Sequence, residues 1–365
     1  VLDDPEVVAV AQLVGGLEPA RTIMLKLLEA GKDVVTANKA LLAEHGPELF
    51  DRARELGRSI AFEASVAGGI PIVAGISQNL SANQIESLHG ILNGTSNFIL
   101  SQMEEHDADY QSAVAEAQRL GYAEADPTMD VDGSDAAQKL AILAHLAFGA
   151  RVHWRDIPRQ GIDTLQPADM KFAGELGYRI KLLAVAEMNH GGLELHVSPQ
   201  LVKIGQPLAE VRDAYNAIRV VGDAVGRLWF HGLGAGQMPT ASAVVADLID
   251  TVVGRTAITF RNLELWSERP ARVLPREYEQ SRSRFYLRFD VDDHPGALAQ
   301  IAGALGKYEV SIASVMQHED LDGVGVVPLV IMTHHTSEGA SRRAVEAIDK
   351  LEQVRSKPVR IRVHD

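Results

Sequence analysis

The chain has 365 residues, enough for two or three domains of ordinary size, each with its own core. Its 49 acidic residues outnumber 35 basic ones, and a net charge of −14 with no basic run argues against nucleic acid or an anionic membrane as the main partner. Cysteine is absent, which excludes disulfides, thiolate chemistry and cysteine-based metal sites; with no signal-like or long apolar segment, the expected location is the cytoplasm.

Residues 7–14 are a short apolar run closed by Gly15 and Gly16, as expected of a parallel strand buried on both faces. Glu18 and Pro19 then open a helix that stops at Gly31, and residues 33–37 make the next strand. Ligands of such βαβ sheets sit at the strands' carboxyl ends, here Gly15-Gly16 and Thr36-Ala37-Asn38-Lys39. A helical pattern covers 40–56 with an interruption expected at Gly46-Pro47, and 59–66 read as a further strand. A dinucleotide fold opens with a strand, a G-x-G-x-x-G turn and a helix; no such opening precedes Val1, so the expectation is that a first βαβ unit is missing and residues 1–66 are the remainder.

Strands at 87–92, 192–197, 217–222 and 227–230 alternate with helices, suggesting a mixed sheet with an open face that a second copy could cover. Asn93-Gly94-Thr95-Ser96-Asn97 sits at a strand-to-helix turn, where small polar residues are also ordinary caps. The stretch 121–139, GYAEADPTMDVDGSDAAQK, places five acidic residues before and at the start of a helix over 135–148. On that helix Lys139 shares a face with Asp135 one turn back and with Ile142, Leu143 and Leu146, while Ser134, Gln138 and His145 form a separate polar stripe. An apolar wall on one side and a carboxylate on the other suit a proton-transfer group; a solvated i,i+4 ion pair is the plainer alternative. Gly232, Gly234 and Gly236 follow a strand and precede a helix over 241–254, which fits either a phosphate-type turn or close helix–sheet packing.

Residues 267–283, polar and arginine-rich with two prolines, read as a linker. Beyond it Phe285, Leu287, Phe289 and Val291 alternate as a strand, and Asp293-His294-Pro295-Gly296 opens a helix to Lys307. Strands at 310–317 and 324–333, a helix at 338–354 and a strand at 358–363 complete βαββαβ, the order of a ferredoxin-like module.

Gly121, Tyr122, Glu124, Asp126, Pro127, Asp130, Gly133, Asp135 and Lys139 match the pattern G-Y-x-E-x-D-P followed by D-x-x-G-x-D-x-x-x-K, which resembles the active-site signature of homoserine dehydrogenases. The turn at Asn93, the N-K-x-L-L run from Asn38 and the turn from Gly232 through Ser242 resemble further motifs of that family, and the C-terminal module resembles an ACT domain. The resemblance implies an NADP- or NAD-dependent oxidoreductase that interconverts L-aspartate 4-semialdehyde and L-homoserine in threonine, methionine and isoleucine biosynthesis. It implies Lys139 as proton donor; Gly121, Glu124, Asp130 and Asp135 at the substrate; and Thr36, Lys39, Gly121, Glu124 and Gly236 at the cofactor. It further implies a sodium ion held by Glu63 and the backbone oxygens of Val66, Gly68 and Ile70, threonine as effector of the ACT domain, and a homodimer or homotetramer. The expected architecture is α/β: a partial Rossmann-type domain (1–66), an α+β substrate and dimerisation domain with a mixed sheet (67–240), a helix returning to the nucleotide domain (241–266), a linker (267–283) and the ACT domain (284–365). The other reading of the same sequence is a catalytically silent piece that dimerises and binds an amino acid; cofactor affinity separates the two.

Overall fold

Three parallel strands, β1 (Ala9–Gln12), β2 (Asp33–Thr36) and β3 (Ile60–Ala61), open the chain, with α1 (Ala20–Glu29) and α2 (Lys39–Glu55) crossing between them; the computed structural model describes residues 1–263, 273–318 and 325–364. Ala11 pairs with Val35 and Val34 with Ile60, so the sheet order is the chain order. Asn38 accepts from the Leu41 amide at 3.1 Å to cap α2 and donates to the carbonyls of Val14 (3.0 Å) and Gly16 (2.7 Å), binding the carboxyl ends of β1 and β2 together. Contrary to expectation, α2 runs unbroken through Gly46-Pro47. Leu41, Leu42, Gly46, Leu49, Phe50 and Ala53 form one buried stripe across the proline, and packing of that stripe outweighs the lost backbone hydrogen bond.

The strand expected over 59–66 ends after two residues. The Glu63 amide donates to Asp247 Oδ2 at 2.8 Å and the chain enters a 3-10 turn, Glu63–Ser65, so the ladder loses its donors there. The middle of the chain then supplies α3 (Ile72–Ala74), β4 (Ile85–Ile91), α4 (Gly94–His106), α5 (Tyr110–Arg119), α6 (Thr128–Val131), α7 (Ser134–Phe148), α8 (Pro167–Glu175), β5 (Tyr178–Asn189), β6 (Gly192–Lys203), β7 (Tyr215–Gly222) and β8 (Gly226–Leu233). Strand β5 was not anticipated, because its Leu, Ala and Met residues favour helices; it pairs with β6 over its whole length, from Tyr178 opposite Lys203 to Asn189 opposite Gly192. β6 likewise runs past the expected end at 197 and through Pro199. Val197 donates to Pro158 and accepts from Gln160 on the edge away from β5, so by alternation Pro199 turns its missing N–H to that same edge and costs the β5 ladder nothing.

Helix α9 (Gln237–Val252) returns to the first sheet, where Ala243 and Val244 pack on Val35, Ala61 and Ala64, and α10 (Arg255–Leu263) sets the Phe260 ring 5.3 Å from that of Phe50. Of the expected linker, 267–272 lie outside the described residues; Leu274 and Arg276 hydrogen-bond to Leu193 of β6, so the remainder is pinned to the sheet. The C-terminal module comprises β9 (Arg282–Ser283), β10 (Phe285–Asp292), α11 (Ala297–Lys307), β11 (Ile312–Gln317), β12 (Val326–Thr333), β13 (Thr336–Ser337), α12 (Glu338–Ile348) and β14 (Val359–His364), which realises the βαββαβ order, with α12 ending six residues earlier than expected.

This module is not a separate sheet. β14 pairs in parallel with β6, Arg362 opposite Gln200 and His364 opposite Val202, which yields one nine-stranded sheet in the order β11-β12-β10-β14-β6-β5-β4-β7-β8. Helices α4, α7 and α8 cover its middle strands, and α7 is buried around its entire circumference, Ser134, Gln138 and His145 included, so the expected polar stripe is interior. Among the described residues no helix is long and apolar enough to cross a membrane.

Candidate active site

Strand β4 delivers Leu92 and Asn93 to the amino-terminal end of α7, where Gly133 has φ +85° and its Cβ position would lie 3.1 Å from Val197, so only glycine turns the chain into the helix there. Asn93 caps α4 by accepting from the Ser96 amide at 2.7 Å, and its Nδ2 donates to Asp130 Oδ1 (2.7 Å) and Asp135 Oδ2 (2.8 Å). Asp135 is the centre of the cluster. Its Oδ2 also accepts from Lys139 Nζ at 2.7 Å, and its Oδ1 lies 3.0 Å from Lys39 Nζ, brought in by the first turn of α2. Lys139 Nζ donates a second hydrogen bond, 2.7 Å, to the Leu92 carbonyl.

Burial alone would raise the Asp135 carboxyl, but Lys139 and Lys39, with the Asn93 hydrogen bond, outweigh it and hold the group well below the ordinary aspartate range. Asp135 in turn raises Lys39 against its desolvation, with Asp130 and Glu124 adding to the effect. Asp130 is shifted up by burial, partly offset by Asn93. Lys39 therefore stays a cation and Asp135 an anion through the neutral range, in a pocket where Asp135 is 5% and Lys139 9% exposed. The apolar wall expected around Lys139 is present in the stem's neighbours Ile142 and Leu143, yet its ammonium is set among acceptors.

The remaining residues of the segment take different stations. Gly121 (φ +78°) and Glu124 are exposed at the rim, and Asp126 holds Thr128 at the start of α6 instead of entering the cluster. Thr95 Oγ1 donates to the Tyr122 carbonyl (2.6 Å) and Ser96 Oγ to that of Asp130 (2.7 Å), tying this segment to α4.

The turn after β8 approaches from the other side. Gly236 (φ +117°) precedes α9, and the Gly69 amide donates to the Leu233 carbonyl at 3.0 Å. A Cβ on Gly68 would stand 2.6 Å from Gly234 O, so the 66–70 loop and the glycine turn touch backbone to backbone. Glu63 is 8% exposed and its two carboxylate oxygens accept from the amides of Val73 (2.9 Å) and Ala74 (2.8 Å); burial raises its pKa, these bonds lowering it in part. It faces a cavity of about 350 Å³ shared with Phe62, Asp247, Asp250 and Phe260. Thr36, at the end of β2, donates to Gln12 Oε1 at 3.2 Å beside the carboxyl ends of the parallel strands.

The structure thus brings Lys39, Asp130, Asp135 and Lys139 together, leaves Glu124 and Gly121 at the rim, and places Glu63, Val66, Gly68 and Ile70 on an adjoining loop next to Gly236's turn. Reading the sequence missed the Leu92 carbonyl, Asn216 and Asp247. Asn216 carried a faint signal, a polar residue on the strand face it shares with the buried Ile218 and Val220; a backbone carbonyl carries none.

Family models agree with this division. One described as "Homoserine dehydrogenase, NAD binding domain" matches residues 2–63, one described as "Homoserine dehydrogenase" matches 71–249, and one described as "ACT domain" matches 285–353. The chain is 47% identical to a homoserine dehydrogenase of Pseudomonas aeruginosa, over 99% of this chain and 84% of the relative, and 43% identical to one of Synechocystis sp., over 100% and 85%. Among solved structures it is similar to a homoserine dehydrogenase from Thiobacillus denitrificans (TM-score 0.91, 43% identity, 100% of this chain and 84% of the other) and one from S. aureus (TM-score 0.73, 34% identity, 100% and 83%). With the lysine–aspartate cluster seated between a nucleotide-type sheet and an ACT-bearing mixed sheet, and relatives matched over the whole of it, the chain belongs to the homoserine dehydrogenase family.

Proposed function

We propose that Lys139 is the proton donor in the reduction of L-aspartate 4-semialdehyde to L-homoserine. A nicotinamide cofactor, when bound, would supply the hydride for the new C–H bond at the aldehyde carbon. Lys139 gives one ammonium proton to the aldehyde oxygen as its C=O π bond breaks, and regains a proton from solvent; the reverse reaction takes the hydroxyl proton onto the neutral amine. The observation that carries this is the count of donors on Lys139. An ammonium has three N–H groups; among the described residues Leu92 O and Asp135 Oδ2 engage two, and the third is left for a substrate oxygen. Asp135, held ionised, orients the lysine and donates nothing, while Lys39, held protonated, is a fixed positive charge at the same carboxylate. Asp130 and the exposed Glu124 suit the substrate's α-ammonium group, and Gly121 keeps the rim open to it. Thr36 at the end of β2 and Lys39 at the start of α2 support a cofactor site for NADP or NAD at these strand ends, which Gly236, Gly121 and Glu124 would complete. Lys139→Ala is expected to lower kcat by about 10²- to 10⁴-fold; wild-type turnover in that variant would remove the lysine from the chemistry.

The oxygen set on the 63–70 loop supports a monovalent cation. Ala67 (φ +54°) and Gly68 (φ +41°) turn the chain sharply, and the carbonyls of Val66 and Gly68 accept no backbone hydrogen bond among the described residues. One carboxylate, Glu63, with backbone oxygens of Val66, Gly68 and Ile70 offers hard ligands with a single negative charge, which suits sodium. The ACT module supports regulation by an amino acid, threonine being the product-derived effector this reading favours; thermal stabilisation by threonine and not by its D-enantiomer is the measurement that decides it. The half-exposed Tyr215, Trp229 and Leu233 on β7 and β8 support self-association through that sheet face.

A further inference from the structure

We propose that Asn216 is a positioning residue for Lys139 and that position 234 is glycine because the Asn216 amide occupies the space a side chain there would need. The inference rests on the reading of Lys139 as proton donor.

The last ladder pair between β4 and β7 is Ile91 with Ala217, and one further step of the same register sets Asn216 opposite Leu92. There the side chain takes over from the backbone: Asn216 Nδ2 donates to the Leu92 carbonyl at 3.0 Å, on the oxygen that also accepts from Lys139 Nζ at 2.7 Å. Both lone pairs of that carbonyl are thereby used. The lysine stem is long and flexible, so the direction of its third N–H depends on how firmly its other two acceptors stand. Asp135 is held by Asn93 and Lys39. Leu92 O, just beyond the end of the ladder, is held by Asn216.

Asn216 is 1% exposed, and its buried Oδ1 has no hydrogen-bond partner among the described residues. Buried polar atoms are almost always paired, so this residue is kept in the interior for its amide N–H donor. The glycine turn explains how it fits. A Cβ built on Gly234 would lie 2.1 Å from Asn216 Nδ2 and 2.2 Å from its Cγ, distances no real Cβ makes. Gly234, unlike Gly236, is not among the residues with positive φ, so its backbone does not demand glycine. The amide does. The turn that follows β8 and the anchor of Lys139 are in this way one packed unit.

The test is a double-mutant cycle of Asn216→Ala and Gly234→Ala, with Lys139→Ala as reference, read by steady-state kinetics and by the crystal structure of Asn216→Ala. Asn216→Ala is expected to lower kcat about 10- to 100-fold with KM for homoserine within about threefold, as befits a misdirected catalytic group. Lys139 in its crystal structure is expected in more than one rotamer. Gly234→Ala is expected to be harmful alone and to add no further loss of kcat to Asn216→Ala, because the truncated side chain vacates the space. Asn216→Ser, smaller and still polar, serves if the alanine variant does not fold and is expected to show the same kcat loss. Wild-type kcat, or a Lys139 seated as in the parent, overturns the assignment of Asn216; an undiminished Gly234→Ala effect in the Asn216→Ala background overturns that of Gly234. Full turnover in Lys139→Ala is a different result and strikes the proton-donor reading itself.

Discussion

Arg288 Nε and Asp169 Oδ1 meet at 2.7 Å with both side chains essentially out of water, joining β10 of the ACT module to α8 beneath the catalytic part of the sheet. Tyr286 Oη donates to the same oxygen at 3.1 Å, and Arg288 also reaches Gln166 and Asp290. Removing Asp169 leaves the buried Arg288 with Asp290 as its one carboxylate and takes away the acceptor of Tyr286 Oη. Asp169→Ala is expected to cost about 3–5 kcal/mol in urea unfolding, while Asp169→Leu with Arg288→Met recovers most of it. A loss under about 1 kcal/mol for the single variant would show that the pair does not carry the junction.

Asp135 gives a second expectation. Asn at this position keeps the shape but can accept from only one oxygen, and its NH₂ faces a lysine. Asp135→Asn should lower kcat by about 10²-fold or more. Because the carboxyl is held far below the ordinary range, its titration should not appear in the pH profile of kcat above about pH 4. An inflection near pH 6 that disappears in Asp135→Asn would contradict the geometry.

Lys181 is fully buried on β5 and donates to Val211 O and Asn97 Oδ1. Burial pushes it down to about 8, with Glu104 opposing and Arg179 assisting. The folded pKa lies below the unfolded value, so the cost of burying the charge is present in full below about pH 8 and relieved as pH rises toward the unfolded value. Stability should therefore increase between about pH 8 and 10, by roughly 3 kcal/mol at most, relative to Lys181→Met. A difference between the two proteins that does not vary with pH would place the lysine in an ordinary environment.

The cation reading is checked by exchange. Replacing sodium in the buffer by tetramethylammonium, which is too large for a loop of carbonyls, is expected to lower activity several-fold and to weaken thermal stability. Glu63→Gln should blunt the response to both ions. Equal behaviour of parent and variant across the exchange would leave Glu63 as a cap of α3, the role its bonds to Val73 and Ala74 already show.

Self-association through the β7–β8 face is read by light scattering. Trp229→Glu combined with Leu233→Asp puts two charges on one face of β8, on either side of His231, and the particle mass should drop to that of one chain. An unchanged mass would move the interface elsewhere.

Much of this arrangement was legible in the sequence. The alternation of Phe285, Leu287, Phe289 and Val291, and the spacing that puts Asp135 one turn before Lys139, have local causes, and the fold keeps them. What failed was decided at a distance. β5 spells a helix and becomes a strand because β6 and β4 offer it partners along its length; residues 62–66 spell a strand and turn away because Asp247, far along the chain, takes the Glu63 amide. The second acceptor of Lys139, Leu92 O, has no side-chain signature, and Asn216 acquires its meaning only once β7 is set beside β4.

Strand β14 lies between β10 and β6, so the last of the described strands is an interior member of the sheet. Until it emerges, β6 and β10 each present an open edge of unpaired amides and carbonyls, and the two halves of the sheet have no ladder between them. A nascent chain must therefore wait for residues 359–364 with two sticky borders uncovered, and a frameshift or proteolytic cut that removes only this short stretch would leave both borders uncovered for good, inviting intermolecular pairing far from the reaction centre.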